Sequence, residues 1–401
     1  MTGKPSGFPL NRLSIGGGAL FSLSVWIYAG ATLYLLAKNA GRFFGLPLDT
    51  AGAADGEDLV VFYAIGSFIA DARLADAYDA TRFQAALPPQ ADEALLLNPP
   101  HAGLFFAPLS VFAYGQLKAL WIIATLAAMA GAAALIARKP FSALTVAQLL
   151  SPATLASLFA LQLGAFVAAG LLFALKTAQT RPKLSGFILS LLTIKPQYGL
   201  LVPIFLAGIG AWRAIFWAGV FTLAFIVAAI AAFGVAPWFA FFDALGPNHI
   251  DHGLEVHRGT INLAQELAKR GLAPSGVMAG SLAGVIIAAV AVWVTARGTH
   301  RISANRDYAV GLCVILSAYI APSAWIYDWP LVSAGLLLLA KDREWPLHLK
   351  LAAAAAWIAP LAPLYFYASG APAASFCALS ITAVLVSVWV WRGPTTFLTE
   401  H

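Results

Sequence analysis

The chain has few charged residues and almost no cysteine or methionine. Of its 401 residues 10% are Asp, Glu, Lys or Arg, where a soluble domain has about 25%. Hydrophobic residues make up 60%, against about 45–50% in a soluble domain. A chain of this size cannot bury so much apolar surface in its own interior. The composition therefore excludes a soluble globular protein, a disordered chain and a coiled coil, and it predicts an all-α polytopic membrane protein.

The two cysteines, Cys313 and Cys377, lie inside apolar runs. Thiols in such surroundings behave as small hydrophobic groups, so we expect no disulfide. The first apolar run, at 14–37, is longer than the core of a cleaved signal peptide, which has about 7–15 residues. We therefore expect a retained first membrane span.

Twelve apolar runs approach the length of about 20 residues that a helix needs to cross the hydrocarbon layer. They are 14–37, 117–137, 143–158, 161–176, 183–194, 197–211, 214–233, 276–296, 308–321, 329–340, 349–368 and 374–391. The run 101–115 is also apolar but short, and it contains Pro108. We expect it to form an interfacial or half-inserted helix.

The charged residues indicate the orientation of these spans. With twelve spans, 15 basic and 4 acidic residues fall on the side of the termini, and 9 basic and 14 acidic residues fall on the other. An excess of Lys and Arg is typical of the cytoplasmic face. We therefore predict one membrane domain, 1–401, in the inner (plasma) membrane, with both termini cytoplasmic. The long loops 38–100 and 234–275 and the junction 321–330 would be extracytoplasmic, and we expect the active site there.

Short motifs follow one another along the chain in a characteristic order. They are Asp58, Phe62 and Tyr63, Ala64 and Gly66, Tyr78 and Asp79, Asn98-Pro99-Pro100 with the apolar run to Trp121, Lys195-Pro196-Gln197, and Tyr327 and Asp328. This order over most of 55–335 resembles the family-87 glycosyltransferases, the polyprenol-phosphate-mannose-dependent mannosyltransferases of the GT-C fold. The chain departs from the family pattern at Asn98, where a Tyr is usual, and at Leu161 before Gln162, where a Gly is usual.

The resemblance implies a GT-C-type fold and a membrane hexosyltransferase. Such an enzyme would move a sugar, with mannose as the first candidate, from a polyprenyl-phosphate carrier to a glycolipid or glycan acceptor, and a direct displacement would invert the anomeric carbon. The expected partners are this donor, the acceptor and membrane lipid, with no nucleic acid, no cofactor and no metal. A twelve-span secondary transporter or a lipid flippase without transferase activity remains an alternative, although no repeated halves typical of transporters are visible.

Asp58 and Lys195 are the leading site candidates. The resemblance implies that Asp58 is the general base, with Glu57 and Asp55 as substitutes; alternatively, Asp58 caps a helix beginning at Leu59. Lys195 is a lone cation between apolar runs, which makes it a candidate for binding the donor phosphate. Alternatively, it is a lysine that extends toward the interface at a helix end.

The remaining candidates are weaker. Asp328 could hold sugar hydroxyls, form an ion pair with Lys195 or an arginine, or lie in a solvated loop. Gln197 and Tyr63 could contact the donor. The run 248–258 is rich in His and acidic residues but lacks the His-Glu-x-x-His order of a metal site, so we expect at most a phosphate contact from His257 or Arg258. Gln162 and Gln265 are weaker polar candidates, better explained as helix-end or helix-packing groups.

Overall fold

The computed structural model describes residues 57–89, 91, 96–140, 142–246, 260–299, 304–340, 345–366 and 373–398, together with residues 30, 34, 37 and 41. Over these residues the regular structure is helical, without a β-strand. The predicted span 14–37, Asp55, and the run 248–258 with His257 and Arg258 lie outside the described residues, apart from the isolated positions 30, 34 and 37. The α-helices are, in chain order, α1 Leu59–Ala70, α2 Ala80–Ala85, α3 Gly103–Phe106, α4 Tyr114–Ala137, α5 Ala143–Leu149, α6 Pro152–Ala160, α7 Gly164–Thr177, α8 Pro182–Leu191, α9 Val202–Gly208, α10 Trp212–Phe233, α11 Ala236–Ala244, α12 Leu263–Lys269, α13 Pro274–Gly298, α14 Ala304–Ile320, α15 Trp329–Ala340, α16 Leu347–Ile358, α17 Leu361–Phe366 and α18 Ala373–Leu398.

Four of the described helical segments are long and apolar enough to cross a membrane. They are Tyr114–Ala137, Trp212–Phe233, Pro274–Gly298 and Leu347–Leu364, which correspond to four of the predicted spans. Helices α5 and α6 could form a fifth, bent by 42° at their junction. Several other predicted spans are shorter helices, so the count of twelve stays a prediction.

Helices α10 and α15 are both apolar in sequence, but they differ in the fraction of their residues that is buried. Of the 22 residues of α10, only Ala214 and Ala229 are buried, and large side chains such as Phe216 and Leu223 are exposed. A continuous apolar surface on a helix about 33 Å long matches the hydrocarbon layer of about 30 Å. In α15, by contrast, eleven of the twelve residues are buried. We infer that α10 faces lipid and that α15 lies in the protein core.

The segment 101–115 is helical up to Val111, but it alternates between 3-10 and α-helical turns. It consists of the 3-10 turn Pro100–Ala102, the short helix α3 and the 3-10 turn Ala107–Val111. Pro100 and Pro108 lack a backbone donor and cannot lie inside a regular helix without breaking it. These turns pack against α1, where the rings of Phe62 and Phe106 stack with their centres 4.7 Å apart.

Breaks between helices bring the candidate residues together. The chain turns at Leu161, which has a left-handed backbone conformation with φ of 49°, between α6 and α7. It turns again at Lys195, between the 3-10 turns Leu192–Ile194 and Pro196–Gly199. A third 3-10 turn, Ile326–Asp328, leads into α15.

A close backbone contact joins the first and third of these breaks. A Cβ atom at Gly164 would lie 2.1 Å from the carbonyl oxygen of Tyr327, so a side chain there would displace the turn. The hydroxyl of Ser157 donates a hydrogen bond to the same carbonyl oxygen over 2.9 Å. The turn that carries Asp328 is therefore fixed against α6 and α7.

Candidate active site

Asp58 directly precedes α1, and its side chain is free of a capping role. Its carboxylate makes no hydrogen bond to the first turn of the helix, so the capping alternative is wrong. Instead the side-chain amide of Gln162 donates to Oδ2 of Asp58 over 3.0 Å. The backbone N–H of Asp58 donates to the carbonyl oxygen of Ala160 over 2.8 Å. These two hydrogen bonds hold Asp58 against the junction of α6 and α7.

The surroundings of Asp58 suit a group that accepts a proton near neutral pH. Burial raises the pKa of its carboxyl group to about 6, because a charged group loses hydration in the protein interior. The hydrogen bond from Gln162 and the positive charge of Lys195 oppose this rise, and the negative charge of Asp328 adds to it. Asp58 nevertheless keeps part of its surface exposed. A carboxylate with a pKa near 6, in a residue that stays partly exposed, can act as a general base.

Lys195 forms a buried ion pair with Asp328. Its Nζ atom lies 3.1 Å from Oδ1 of Asp328, and the side chains are 8% and 0% exposed. The other carboxylate oxygen of Asp328 accepts a hydrogen bond from the backbone N–H of Trp325 over 3.2 Å. The ion pair that we considered for Asp328 is therefore confirmed. The burial of Lys195 shows that the alternative of a lysine extending to the interface is wrong.

Two tyrosine rings surround the ammonium group of Lys195. Its Nζ atom lies 5.0 Å from the ring centre of Tyr327 and 5.8 Å from that of Tyr198. Aromatic faces attract cations without using up their hydrogen-bond donors. An ammonium group has three N–H donors, so Lys195 can still donate to a second anion beside Asp328.

A segment of the first long loop fixes the backbone that leads to Lys195. The side-chain amide of Asn98 donates to the carbonyl oxygen of Ile194 over 2.8 Å. Nε2 of His101 is hydrogen-bonded to the hydroxyl of Thr193 over 2.9 Å, and burial lowers the pKa of His101. The hydroxyl of Tyr78 in turn donates to the carbonyl oxygen of Asn98. Sequence reasoning missed the role of His101, for which its place after Pro99 and Pro100 was the only available signal.

Other predicted site residues have structural contacts of their own. The hydroxyl of Tyr63 donates to the carbonyl oxygen of Phe112 over 3.1 Å, and the amide of Gln197 donates to Ser323 over 3.3 Å. Neither contact involves Asp58 or Lys195, and a role for Tyr63 and Gln197 in donor binding stays a prediction.

Gln162 and Glu57 have contacts that the sequence did not indicate. Gln162, explained as a helix-end or helix-packing group, does lie just after the end of α6, and its side-chain amide is also the direct hydrogen-bond partner of Asp58. Glu57, a substitute base, is closed inside an ion pair with Lys118, and the two side chains are at most 2% exposed. Of the two adjacent acids, Glu57 is buried and Asp58 is partly exposed. Among the described residues, no group of three or more His, Cys, Asp or Glu could hold a metal ion.

Comparison with known proteins identifies the class of the protein. A sequence model of glycosyltransferase family 87 matches residues 96–322, which is more than half of the 401 residues. The chain therefore belongs to glycosyltransferase family 87 and is a membrane glycosyltransferase. The match includes Gln162 and Lys195, whereas Asp58 and Asp328 lie outside it. No curated protein and no solved structure matches the chain.

Proposed function

We propose that this glycosyltransferase moves a sugar, with mannose as the first candidate, from a polyprenyl-phosphate donor to an acceptor hydroxyl group. The observation that supports this proposal is the carboxyl group of Asp58, a partly exposed residue whose pKa is near 6, within the electrostatic influence of the buried cation of Lys195. The proposal includes a GT-C-type fold of twelve spans in the inner membrane. It also includes an active site on the extracytoplasmic face, where a glycolipid or glycan acceptor would be bound.

The proposed reaction is a single displacement at the anomeric carbon. The acceptor oxygen attacks this carbon, and the bond between the carbon and the phosphate oxygen of the donor breaks. The proton of the acceptor hydroxyl passes to Asp58, while Lys195 offsets the charge of the departing lipid phosphate. A phosphate is a competent leaving group without protonation, so one carboxylate suffices as the base. The attack from the opposite side inverts the anomeric centre.

Asp328 and Gln162 would support these two groups. Asp328 holds Lys195 in place over 3.1 Å and reduces its desolvation cost, because a buried cation needs a partner. Gln162 directs one carboxylate oxygen of Asp58, which leaves Oδ1 for the acceptor proton. Each group thus keeps a free bonding direction toward the substrates.

The substitution Asp58→Asn tests the base. Purified protein is incubated with radiolabelled polyprenyl-phosphate mannose and total membrane lipid, and the labelled product is measured. We expect the transfer rate to fall about 10²–10⁴-fold, the usual contribution of a positioned base, with donor binding retained. The matched control is Asp71→Asn at the exposed C-terminal end of the same helix, which should leave the rate unchanged. A rate within a few-fold of the wild type in the Asp58→Asn protein would remove Asp58 as the base.

A further inference from the structure

A second buried ion pair lies directly beside the proposed base. Nζ of Lys118, on α4, is 2.6 Å from Oε1 of Glu57, and the side chains are 2% and 1% exposed. The hydroxyl of Tyr114, one turn earlier on α4, donates to Oε2 of Glu57 over 3.2 Å. Both carboxylate oxygens of Glu57 are therefore engaged, and this pair offers no accessible carboxylate to a substrate.

A buried ion pair is weak evidence of a role in stability. Removing two charges from water is costly, and replacing a buried ion pair by apolar residues of similar size is often neutral or stabilising. Buried charges are in some proteins retained because they specify one conformation. Glu57 immediately precedes Asp58 in the chain. The conformation that the ion pair would specify is therefore that of the backbone at Asp58.

Two sets of contacts hold the backbone at Asp58. Its own backbone N–H and carboxylate are hydrogen-bonded to Ala160 and Gln162, at the junction of α6 and α7. The preceding residue, Glu57, is bound to α4 through Lys118 and Tyr114. The side chain of Asp58 makes no hydrogen bond to the first turn of α1. Without the contact to α4, the position of Asp58 would depend on the first set of contacts.

We propose that Glu57, Lys118 and Tyr114 are positioning residues for the transfer reaction. They fix the backbone at the start of α1 so that the free oxygen of Asp58 meets the acceptor hydroxyl. This inference rests on the proposed function, because it assumes that Asp58 is the base. A misplacement of about 1 Å in a reacting group can lower a rate about 10²-fold.

The test removes both charges together, because either single substitution would leave a buried charge without a partner. In the variant Glu57→Gln/Lys118→Met we expect a melting temperature close to that of the wild type and unchanged binding of polyprenyl-phosphate mannose. The transfer rate at saturating donor should fall about 10–100-fold. The control Lys176→Met/Asp307→Asn neutralises the pair at the opposite end of α7, where Lys176 and Asp307 are 2.7 Å apart. It should leave the rate unchanged.

Adding Asp58→Asn to the variant Glu57→Gln/Lys118→Met distinguishes a positioning role of the ion pair from a general loss of structure. If the pair acts through Asp58, its removal should cause no further loss of rate once the base is absent. An equal fractional loss in both backgrounds, or a wild-type rate in Glu57→Gln/Lys118→Met, would overturn the inference. An active Asp58→Asn protein would instead overturn the proposed function, so the two failures are distinguishable.

Discussion

The two buried lysine–carboxylate pairs beside Asp58 have the same chemistry and different surroundings. Lys118 and Glu57 are 2.6 Å apart, and both oxygens of Glu57 are occupied by side chains. Lys195 and Asp328 are 3.1 Å apart, and two tyrosine rings surround the ammonium group. The carboxylate of the first pair also accepts a tyrosine hydroxyl group, and its lysine lies within α4. In the second pair the tyrosine rings contact the cation, and the lysine lies at a break between helices.

This difference shows why burial of a charge does not by itself define a binding site. A buried cation is costly in either place, and a carboxylate partner offsets much of that cost. The two lysines differ in position and exposure. Lys195 lies at a helix break with 8% of its side chain exposed, whereas Lys118 lies within α4 with 2% exposed. On these grounds we take Lys195, and not Lys118, as the candidate for the donor phosphate.

Neutralising each pair separately would test this distinction most strongly. We expect Lys195→Met/Asp328→Asn to weaken binding of polyprenyl-phosphate mannose about 10–100-fold, because a charge-assisted hydrogen bond contributes about 1.5–3 kcal/mol. Glu57→Gln/Lys118→Met should bind the donor as tightly as the wild type. Donor dissociation constants, measured on purified proteins of equal folded fraction, give the comparison. Equal affinities in both variants would contradict the assignment of Lys195.

Gly164→Ala should disturb the second pair without touching the first. The added Cβ would lie 2.1 Å from the carbonyl oxygen of Tyr327, so the turn with Asp328 must shift. We expect a loss of about 1–3 kcal/mol in the free energy of unfolding, as for other overpacked sites, with reduced transfer. In the control Gly219→Ala, on α10, the added Cβ meets no atom within 4 Å. Thermal unfolding of both variants in detergent measures the effect, and equal melting temperatures would contradict the close contact.

The pH dependence should report the state of Asp58. A base must be deprotonated, so the transfer rate should rise about tenfold per pH unit below pH 6 and level off above it. In Gln162→Leu the hydrogen bond that lowers the pKa of Asp58 is absent. The rising limb of the pH–rate curve, where the transfer rate increases with pH, should therefore move to higher pH. Rates at saturating donor from pH 4.5 to 8 give this limb. An unshifted limb in Gln162→Leu would show that Gln162 does not act on the titrating group.

The raised pKa of Asp58 also predicts in which direction the free energy of unfolding changes with pH. The pKa of Asp58 is raised from 3.8 to about 6, so the folded protein binds more protons than the unfolded chain between these values. The stability from this group is present below pH 3.8 and is lost as the pH rises through about 6. Asp58→Asn should therefore stabilise the protein at pH 7, by at most about 3 kcal/mol, since one pKa unit corresponds to about 1.4 kcal/mol and partial exposure reduces it. The melting temperatures of Asp58→Asn and the wild type are compared at pH 7 and at pH 4. If the variant gained no more over the wild type at pH 7 than at pH 4, this result would contradict the raised pKa.

The local sequence was sufficient to predict individual helices and to recognise the motifs. The apolar run 214–233 predicted a helix that the structure places at Trp212–Phe233, because its length and composition alone favour a membrane span. The segment 101–115 was predicted as a short helix, and the structure has helical turns there that change between 3-10 and α-helical form around its prolines. The motif order indicated glycosyltransferase family 87, which the match over 96–322 confirms.

The sequence by itself therefore determined the membrane class, the family and the identity of Asp58 and Lys195 as candidates. The tertiary structure decided which residues bind the side chains of Asp58 and Lys195. Gln162 lies 104 positions from Asp58, and Asp328 lies 133 positions from Lys195, so no helical periodicity relates them. The difference between the pairs of Lys118 and Lys195 was also invisible in sequence, because burial and hydrogen-bond partners depend on which helix breaks meet in space.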